Sequence, residues 1–223
     1  MNQGPLLREI YSSLDAYFGD LHWWPGETPF EVIVGAILTQ NTAWVNVEKA
    51  IRCLKDRRLM DPRSMSLIPE RELASIIRPA GYFNVKAARL KVFLKLLHED
   101  YGNCLDRMFA VETEPLRKAL LAVKGIGPET ADSILLYAGG KLTFVVDAYT
   151  RRILSRHNMI SSTADYSSVR KLFIASLPRE VPIYRQFHAL IVETGKNFCR
   201  KTPTCGDCPL GGKAFHPPRL SAR

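Results

Sequence analysis

Apolar side chains recur along this chain with the spacing of an α-helix, and this periodicity constrains the fold more than any other feature of the sequence. Within residues 30–38 they fall at i, i+3, i+4, i+7 and i+8, and the spacing continues over 90–101, where Gly102 offers a C-cap. Shorter stripes follow at 116–123 and 134–138. Period-2 alternation is absent over any useful length, and the β-branched stretch 143–146 is too isolated to build a sheet. The sequence therefore predicts an all-α fold with many short loops.

The composition excludes several classes of protein. With 223 residues, 46% of them hydrophobic and 24% charged, the chain can bury a core and needs no disulfide framework. No apolar run approaches the roughly 20 residues of a membrane span. The start MNQGPLLREI lacks the basic and apolar regions of a secretory signal. We therefore expect a cytoplasmic protein with no membrane partner.

Positive charge is concentrated at the C-terminal end. The formal net charge is +9, and residues 196–223 carry six Lys and Arg residues against one acid, Asp207. A surplus of this kind favours a polyanionic partner such as nucleic acid, although it can also serve solubility alone.

The same segment holds three of the five cysteines, Cys199, Cys205 and Cys208. Clustered cysteines in a reducing compartment suggest a metal before a disulfide. Cys53 and Cys104 are isolated in the sequence, and we interpret them as small buried apolar residues.

Two glycines punctuate a tight connection between helices at 124–130, which reads KGIGPET. Gly125 suits the left-handed position that ends the first helix, Gly127 can cap the second, and Pro128 is tolerated as its first residue. The exposed main-chain N–H groups could bind a phosphate. An ordinary helical hairpin with glycine turn chemistry explains the same residues.

Asp147 follows an apolar run and precedes a helical stretch, twenty positions after Gly127. Its local pattern predicts an N-cap, which contributes about 1 kcal/mol. A catalytic role could coexist with the cap.

These motifs together resemble one family. The segments LLAVKGIGPETADSILLYA and VVDAYTRRI are similar to the helix-hairpin-helix and Gly/Pro…Asp signature of the endonuclease III superfamily of DNA glycosylases. PFEVIVGAILTQNT and AGYFNVKAARL extend the resemblance to about residues 28–210. The resemblance implies two helical lobes with a DNA groove and base pocket between them. One is a six-helix barrel with the hairpin (28–139), and the other joins 1–27 to 140–223, with a cysteine loop at about 196–215.

The resemblance also implies roles for individual residues. Asp147 would be catalytic, at the mouth of the base pocket, and Gln40 would lie against the gap left by an extruded base. Lys86 would lie near the DNA backbone, with a solvated lysine as an equal alternative. The partner would be double-stranded damaged DNA, and we expect a monomer. Phosphate contacts would come from the hairpin and the basic tail: Lys124, Gly125, Gly127, Thr130, Lys196, Arg200 and Lys201.

Glu129 bears on the reaction. Family members that also cleave the DNA backbone carry a lysine at this place in the hairpin, because their chemistry needs an amine to form a Schiff base. The resemblance therefore points to a monofunctional glycosylase that hydrolyses the N-glycosidic bond after base flipping. The alternatives are a bifunctional, endonuclease III-like enzyme with a relocated lysine, and a catalytically silent helix-hairpin-helix module that only binds DNA.

The run LHWWPG at 21–26, together with LTQNTAWVNVEKAI, looks most like the branch that excises 3-methyladenine and related alkylated purines. Aromatic faces bind such cationic bases by stacking and cation–π attraction. Each aromatic could equally be a core residue, and a specificity for oxidised pyrimidines is the alternative. The candidate pocket aromatics are Trp23, Trp24, Phe30 and Trp44.

The cysteine spacing resembles the C-terminal loop in which many family members hold a [4Fe-4S] cluster through four thiolates. Here the expected fourth position is Ala214, and no later cysteine exists. A cluster would need another ligand, such as His216, Cys53 or Cys104. A degenerate loop without metal and a zinc site of three cysteines and one histidine are the alternatives.

Overall fold

A computed structural model describes residues 3–211, and every regular element within that range is helical. The expected all-α fold is confirmed, and the stretch 143–146 is irregular. A 3₁₀ turn, Arg78–Ala80, and a π-helical turn, Ile134–Ala138, accompany the α-helices. The α-helices of the described range are α1 (Gly4–Phe18), α2 (Pro29–Leu38), α3 (Trp44–Asp56), α4 (Pro62–Leu67), α5 (Glu70–Ile76), α6 (Phe83–Tyr101), α7 (Leu105–Ala110), α8 (Thr113–Ala122), α9 (Pro128–Ser133), α10 (Ala148–Arg156), α11 (Tyr166–Ser176) and α12 (Val181–Asn197).

Local sequence signals account for the start of α2 and the end of α6. Thr28 caps α2, because its hydroxyl accepts a hydrogen bond of 3.2 Å from the Glu31 N–H, and Pro29 takes the first helical position. Gly102 ends α6 with a φ of 62°, in the left-handed region where a glycine meets no Cβ penalty. Both ends follow the predicted punctuation.

The chain divides into two compact units, with boundaries after Trp23 and after Lys141. The unit 24–141 has its own apolar core, built from α2, α3, α5, α6, α8 and α9. The domain boundaries at 28 and 139 remain a prediction. None of the helices in residues 3–211 combines the length and the apolar character needed to cross a bilayer.

The second unit joins the segment that ends at Trp23 to the segment that begins at Leu142. Its core centres on Phe144, whose ring stacks on Phe173 with the centroids 3.6 Å apart. Residues 143–146 are buried, Arg170 Nε donates to Thr143 Oγ1 at 2.7 Å, and the Val146 N–H donates to the Tyr166 hydroxyl at 3.3 Å. Hydrogen bonds with α11 therefore hold both ends of the irregular segment that leads into Asp147.

Candidate active site

The hairpin between α8 and α9 has the predicted left-handed glycine. Gly125 has a φ of 92°, but α8 ends at Ala122 with Val123 as its C-cap, so Gly125 lies in the turn beyond the helix end and not at the predicted C′ position. Gly127 is extended and caps α9, of which Pro128 is the first residue. Lys124, Gly125 and Gly127 are exposed, whereas the Thr130 side chain faces inward. The turn therefore presents main chain to the surface.

Gln40 is bonded to this hairpin. Its Nε2 donates to Gly125 O at 3.1 Å and to Thr130 Oγ1 at 2.8 Å. Its Oε1 accepts from Arg89 Nη1. The Arg89 stem covers Gly125 so closely that a Cβ there would lie 2.6 Å from Arg89 Cγ. The predicted residues Gln40, Gly125 and Thr130 are thus in contact. Arg89, one turn after Lys86 on α6, also contacts them, although no sequence pattern had indicated it.

Lys86 is buried, so the interpretation as a solvated lysine is wrong. Its Nζ donates to Ala80 O at 2.8 Å and to Thr42 Oγ1 at 2.5 Å. Burial, with a smaller effect from the Arg89 charge, lowers the Lys86 pKa to about 8. Through these hydrogen bonds the ammonium group links the turn after Gln40 to the turn before α6.

Tyr82 lies on the turn before α6, and it was not singled out from the sequence. It is 73% exposed and has a φ of 46°, a left-handed conformation that is uncommon for an aromatic residue. The two turns carrying Gln40 and Tyr82 are also linked by Thr42 Oγ1, which donates to Ala80 O at 2.7 Å.

Asp147 is the N-cap of α10, as its local pattern predicts. One oxygen, Oδ1, accepts from the Thr150 N–H at 2.7 Å and from Thr150 Oγ1 at 2.8 Å. The other oxygen, Oδ2, lies 3.7 Å from His188 Nε2. His188 comes from α12, where a single histidine among apolar residues gave no sequence signal.

Burial by itself raises the pKa of Asp147, but the neighbouring imidazole of His188 and the hydrogen bonds from Thr150 outweigh this effect and lower the pKa below its usual value. A pKa below that of an ordinary aspartate means that the side chain is a carboxylate at neutral pH. This group can stabilise positive charge or orient water, but it holds no proton to donate.

The predicted pocket aromatics do not form one group. In the unit 24–141, Trp24 meets Trp44 edge-to-face at 5.3 Å and Tyr137 at 5.2 Å. Gly35 of α2 makes room for the two indoles, because a Cβ there would lie 3.3 Å from Trp44 and 3.4 Å from Trp24. Tyr137 comes from the π-helical turn and was not predicted. Phe30 is 4% exposed and belongs to the core.

Trp23 belongs to the other unit, where the Lys196 ammonium group lies 4.9 Å from its ring centroid. Lys196, Arg200 and Lys201 are all exposed. Lys196 also pairs with Glu193 at 2.7 Å. These three residues keep cationic groups at the surface of the C-terminal segment.

The three clustered cysteines line one cavity of about 20 Å³, space for roughly one water molecule. His157 lines the same cavity. Arg156 Nη1 donates to Cys199 Sγ at 3.1 Å and to Arg200 O at 2.6 Å. Burial raises the pKa of the Cys208 thiol. Arginine thus holds this loop through direct hydrogen bonds.

The donor set does not fit a cluster held by four cysteines. Within residues 3–211 no group of three or more His, Cys, Asp or Glu side chains is placed to hold a metal ion. Cys53 and Cys104 belong to the other unit, and Cys53 packs against its core. Ala214 and His216 lie outside the described residues.

The helical fold, and a glycine hairpin followed by a capped and ionised aspartate, define a helix-hairpin-helix protein of DNA repair. Residues 34–179 match the HhH-GPD superfamily base excision DNA repair protein family, which is more than half of the chain. The chain belongs to this superfamily.

Its relatives include glycosylases. A Methanocaldococcus jannaschii protein provisionally named DNA repair glycosylase MJ1434 is 46% identical over 211 residues, which are 94% of this chain and 96% of that protein. The H. pylori 3-methyladenine DNA glycosylase MagIII, solved bound to 1,N6-ethenoadenine, is 29% identical with a TM-score of 0.76, over 88% of this chain and 98% of that one. A non-covalent endonuclease III–DNA complex shares the fold, with a TM-score of 0.78 at 21% identity over 94% of each chain. The protein is therefore a DNA glycosylase of base excision repair, and it binds DNA.

Proposed function

We propose that this enzyme is a monofunctional glycosylase that removes alkylated purines such as 3-methyladenine from damaged double-stranded DNA. The observation that carries the proposal is Asp147, a buried carboxylate with a lowered pKa at the start of α10. The reaction is hydrolysis of the N-glycosidic bond, and it leaves an abasic site.

Asp147 acts on the sugar. As the bond to the base breaks, positive charge develops on the deoxyribose, and a fixed carboxylate stabilises it or orients the attacking water. An N3-alkylated purine is already cationic and leaves without a general acid. The absence of a proton on Asp147 is therefore consistent with this substrate class.

Aromatic residues bind the base. Cation–π attraction contributes about 0.5 to 2 kcal/mol, and the cluster of Trp24, Trp44 and Tyr137 offers several ring faces and edges. The likeness to MagIII supports this substrate class. In this proposal Phe30 supports the pocket from the core.

The hairpin and the basic tail bind the DNA backbone. Main-chain N–H groups at Gly125 and Gly127, together with Lys124, contact one phosphate region, and Thr130 supports the hairpin through Gln40. A second phosphate region is contacted by Lys196, Arg200 and Lys201. Tyr82 inserts into the duplex beside the extruded base, as apolar wedges of other DNA-binding proteins do. Lys86 positions the turns that carry Gln40 and Tyr82.

The absence of lyase chemistry follows from Glu129. A carboxylate at this place in the hairpin cannot form a Schiff base. Lys86 has a lowered pKa, but its amine is buried and already bonded to Thr42 and Ala80. No step of the proposed reaction uses the cysteine loop. In this proposal the loop has a structural role and supports the basic tail.

The test is a base-release assay on methylated duplex DNA with wild type, Asp147→Asn and Asp165→Asn. Asp165 is a matched control, because it caps α11 with the same bond to the third residue, Ser168. We expect Asp147→Asn to bind DNA and release no base, and Asp165→Asn to behave as wild type. Full release by Asp147→Asn contradicts the catalytic assignment. Preference for thymine glycol over methylated DNA supports the oxidised-pyrimidine alternative, and release of no base from either supports the silent module.

A further inference from the structure

We infer that His188 is a positioning residue for Asp147, holding the carboxylate oxygen Oδ2 in place while the glycosidic bond breaks. This inference rests on the proposed function of Asp147. It concerns α12, which carries no residue of the sequence motifs around the hairpin and the aspartate.

The two oxygens of Asp147 have different surroundings. Oδ1 is occupied by two bonds from Thr150, which fix the carboxylate as a helix cap. Oδ2 is left to face the imidazole of His188, with 3.7 Å between Oδ2 and Nε2. That distance permits charge pairing but exceeds a direct hydrogen bond. The oxygen that does not cap the helix, Oδ2, is thus the one that faces His188.

The packing around His188 fixes the direction of its ring. His188 is 4% exposed, and it meets Phe144 edge-to-face with the centroids 6.2 Å apart and the planes at 87°. Phe144 is itself stacked on Phe173. A buried histidine on a long helix, with its ring packed against an aromatic ring that is itself stacked, is a rigid partner for a carboxylate.

Titratable and charged groups on the neighbouring elements have partners other than Asp147. On α10, Arg151 donates to Ala164 O, and Arg152 donates to Cys199 O and Gly195 O. On α11, the Tyr166 hydroxyl is bonded to Val146 and Arg170 to Thr143. On α12, burial raises the pKa of Tyr184, which stays neutral in the range of interest, and Glu193 pairs with Lys196. On α1, burial likewise raises the pKa of Tyr11.

Removing His188 therefore has a defined electrostatic consequence. Burial raises the pKa of Asp147, and His188 is the first of the groups that oppose it. Without the imidazole only the Thr150 bonds remain, so the carboxylate takes up a proton at higher pH. Because the proposed chemistry needs the anion, activity would then be lost at higher pH on the acid side.

The experiment is the pH dependence of single-turnover base release from methylated duplex DNA between about pH 3 and pH 8. We compare wild type, His188→Leu, which removes the imidazole, and His188→Gln, which keeps a polar side chain with an N–H donor. His157→Leu is the matched control, because His157 is also buried but lies at the opposite end of α10 from Asp147. We expect the acid limb of His188→Leu to move up by about one pH unit or more, that of His188→Gln to move less, and that of the control to stay.

An acid limb of His188→Leu that coincides with the wild-type limb overturns the inference. If His188 had only a packing role, His188→Leu would lower the melting temperature without moving the acid limb. That outcome also counts against the inference. If His188→Leu does not fold, the Asp147 carboxyl carbon is titrated by NMR in wild type and His188→Gln, and an unchanged midpoint overturns the inference. Asp147→Asn separates the two proposals. Full activity of that variant removes the proposed function, whereas its inactivity with an unmoved His188→Leu profile removes only the role of His188.

Discussion

Arg117 and Asp132 join the two helices of the hairpin through a bidentate ion pair. Arg117 Nε and Nη2 donate to Asp132 Oδ1 and Oδ2, each at 2.9 Å, and the Asp132 side chain is wholly buried. Arg117 lies on α8 and Asp132 on α9, so this pair sets how the two helices meet around the glycine turn. A buried carboxylate needs such a partner, because an isolated buried charge is costly.

Asp132→Asn should strongly destabilise the unit 24–141. The change leaves the Arg117 guanidinium buried opposite a neutral amide, and breaking a buried pair costs about 3–5 kcal/mol. Denaturant unfolding followed by circular dichroism measures the loss. Glu129→Gln makes a comparable change at an exposed carboxylate of α9, and we expect less than about 0.5 kcal/mol there. Equal losses for the two variants would refute this account of the hairpin.

Glu129→Lys should introduce Schiff-base chemistry. An amine in the hairpin can attack C1′ of the abasic product, and loss of water gives an imine that borohydride reduces to a stable protein–DNA adduct. We expect a trapped band on a denaturing gel for Glu129→Lys and none for wild type. Any trapped wild-type band would contradict the monofunctional proposal; its loss in Lys86→Gln would identify Lys86 as the amine, and its survival there would indicate another lysine.

Lys86→Met should change how stability depends on pH. The pKa of Lys86 is about 8 in the folded protein against 10.5 for the free side chain, so between these values the unfolded chain binds more protons. Lys86 therefore makes the free energy of unfolding rise with pH in that window, and below it the buried charge costs stability. We expect the variant to lack this part of the rise when unfolding is measured near pH 7 and above pH 9. Parallel curves for the two proteins would show that the pKa of Lys86 is not lowered.

Trp44→Leu should weaken base release more than DNA binding. Trp44 is partly buried against the core and meets Trp24 at 5.3 Å, so its loss removes an aromatic surface for the base. We expect release of 3-methyladenine to fall about tenfold, since the attraction at stake is about 1.4 kcal/mol. Trp44→Phe should retain more activity, because it keeps a π-face. The affinity for undamaged duplex, measured by fluorescence anisotropy, should stay unchanged, and an equal fall in both quantities would place Trp44 outside the pocket.

Ala214→Cys tests the cysteine loop. By resemblance this change completes a four-thiolate set with Cys199, Cys205 and Cys208, so we expect bound iron and visible brown absorbance above the wild-type level. Adding Cys208→Ser to the variant should remove the gain. Wild-type protein with a full complement of iron would mean that another ligand already completes the site.

The sequence predicted the features that depend on local chemistry. Helical periodicity predicted the all-α fold, and the glycines and the proline at 125–128 predicted the hairpin. The position of Asp147 directly before a helical stretch predicted its role as an N-cap. Each of these depends on neighbours within a few positions, which is why they could be predicted from the chain alone.

Relationships between distant residues could not be predicted. His188 lies beside Asp147 only because α12 packs on α10. The burial of Lys86 depends on Thr42, 44 positions away. The separation of Trp23 from Trp24 depends on where one unit ends. In all three cases tertiary packing decides the environment of a side chain whose local sequence allows several.

The π-helical turn has a consequence for how recognition could diverge. Gly139 N–H reaches back five residues to Ile134 O, so this turn holds one residue more than a regular helical turn. That extra residue sets the direction in which Tyr137 leaves the helix toward Trp24. Deleting a single residue here would rewind the segment and rotate the tyrosine by about 100°. Under the proposed role of the cluster of Trp24, Trp44 and Tyr137, a change in chain length, rather than a substitution, is a short route by which relatives could come to accept a different base.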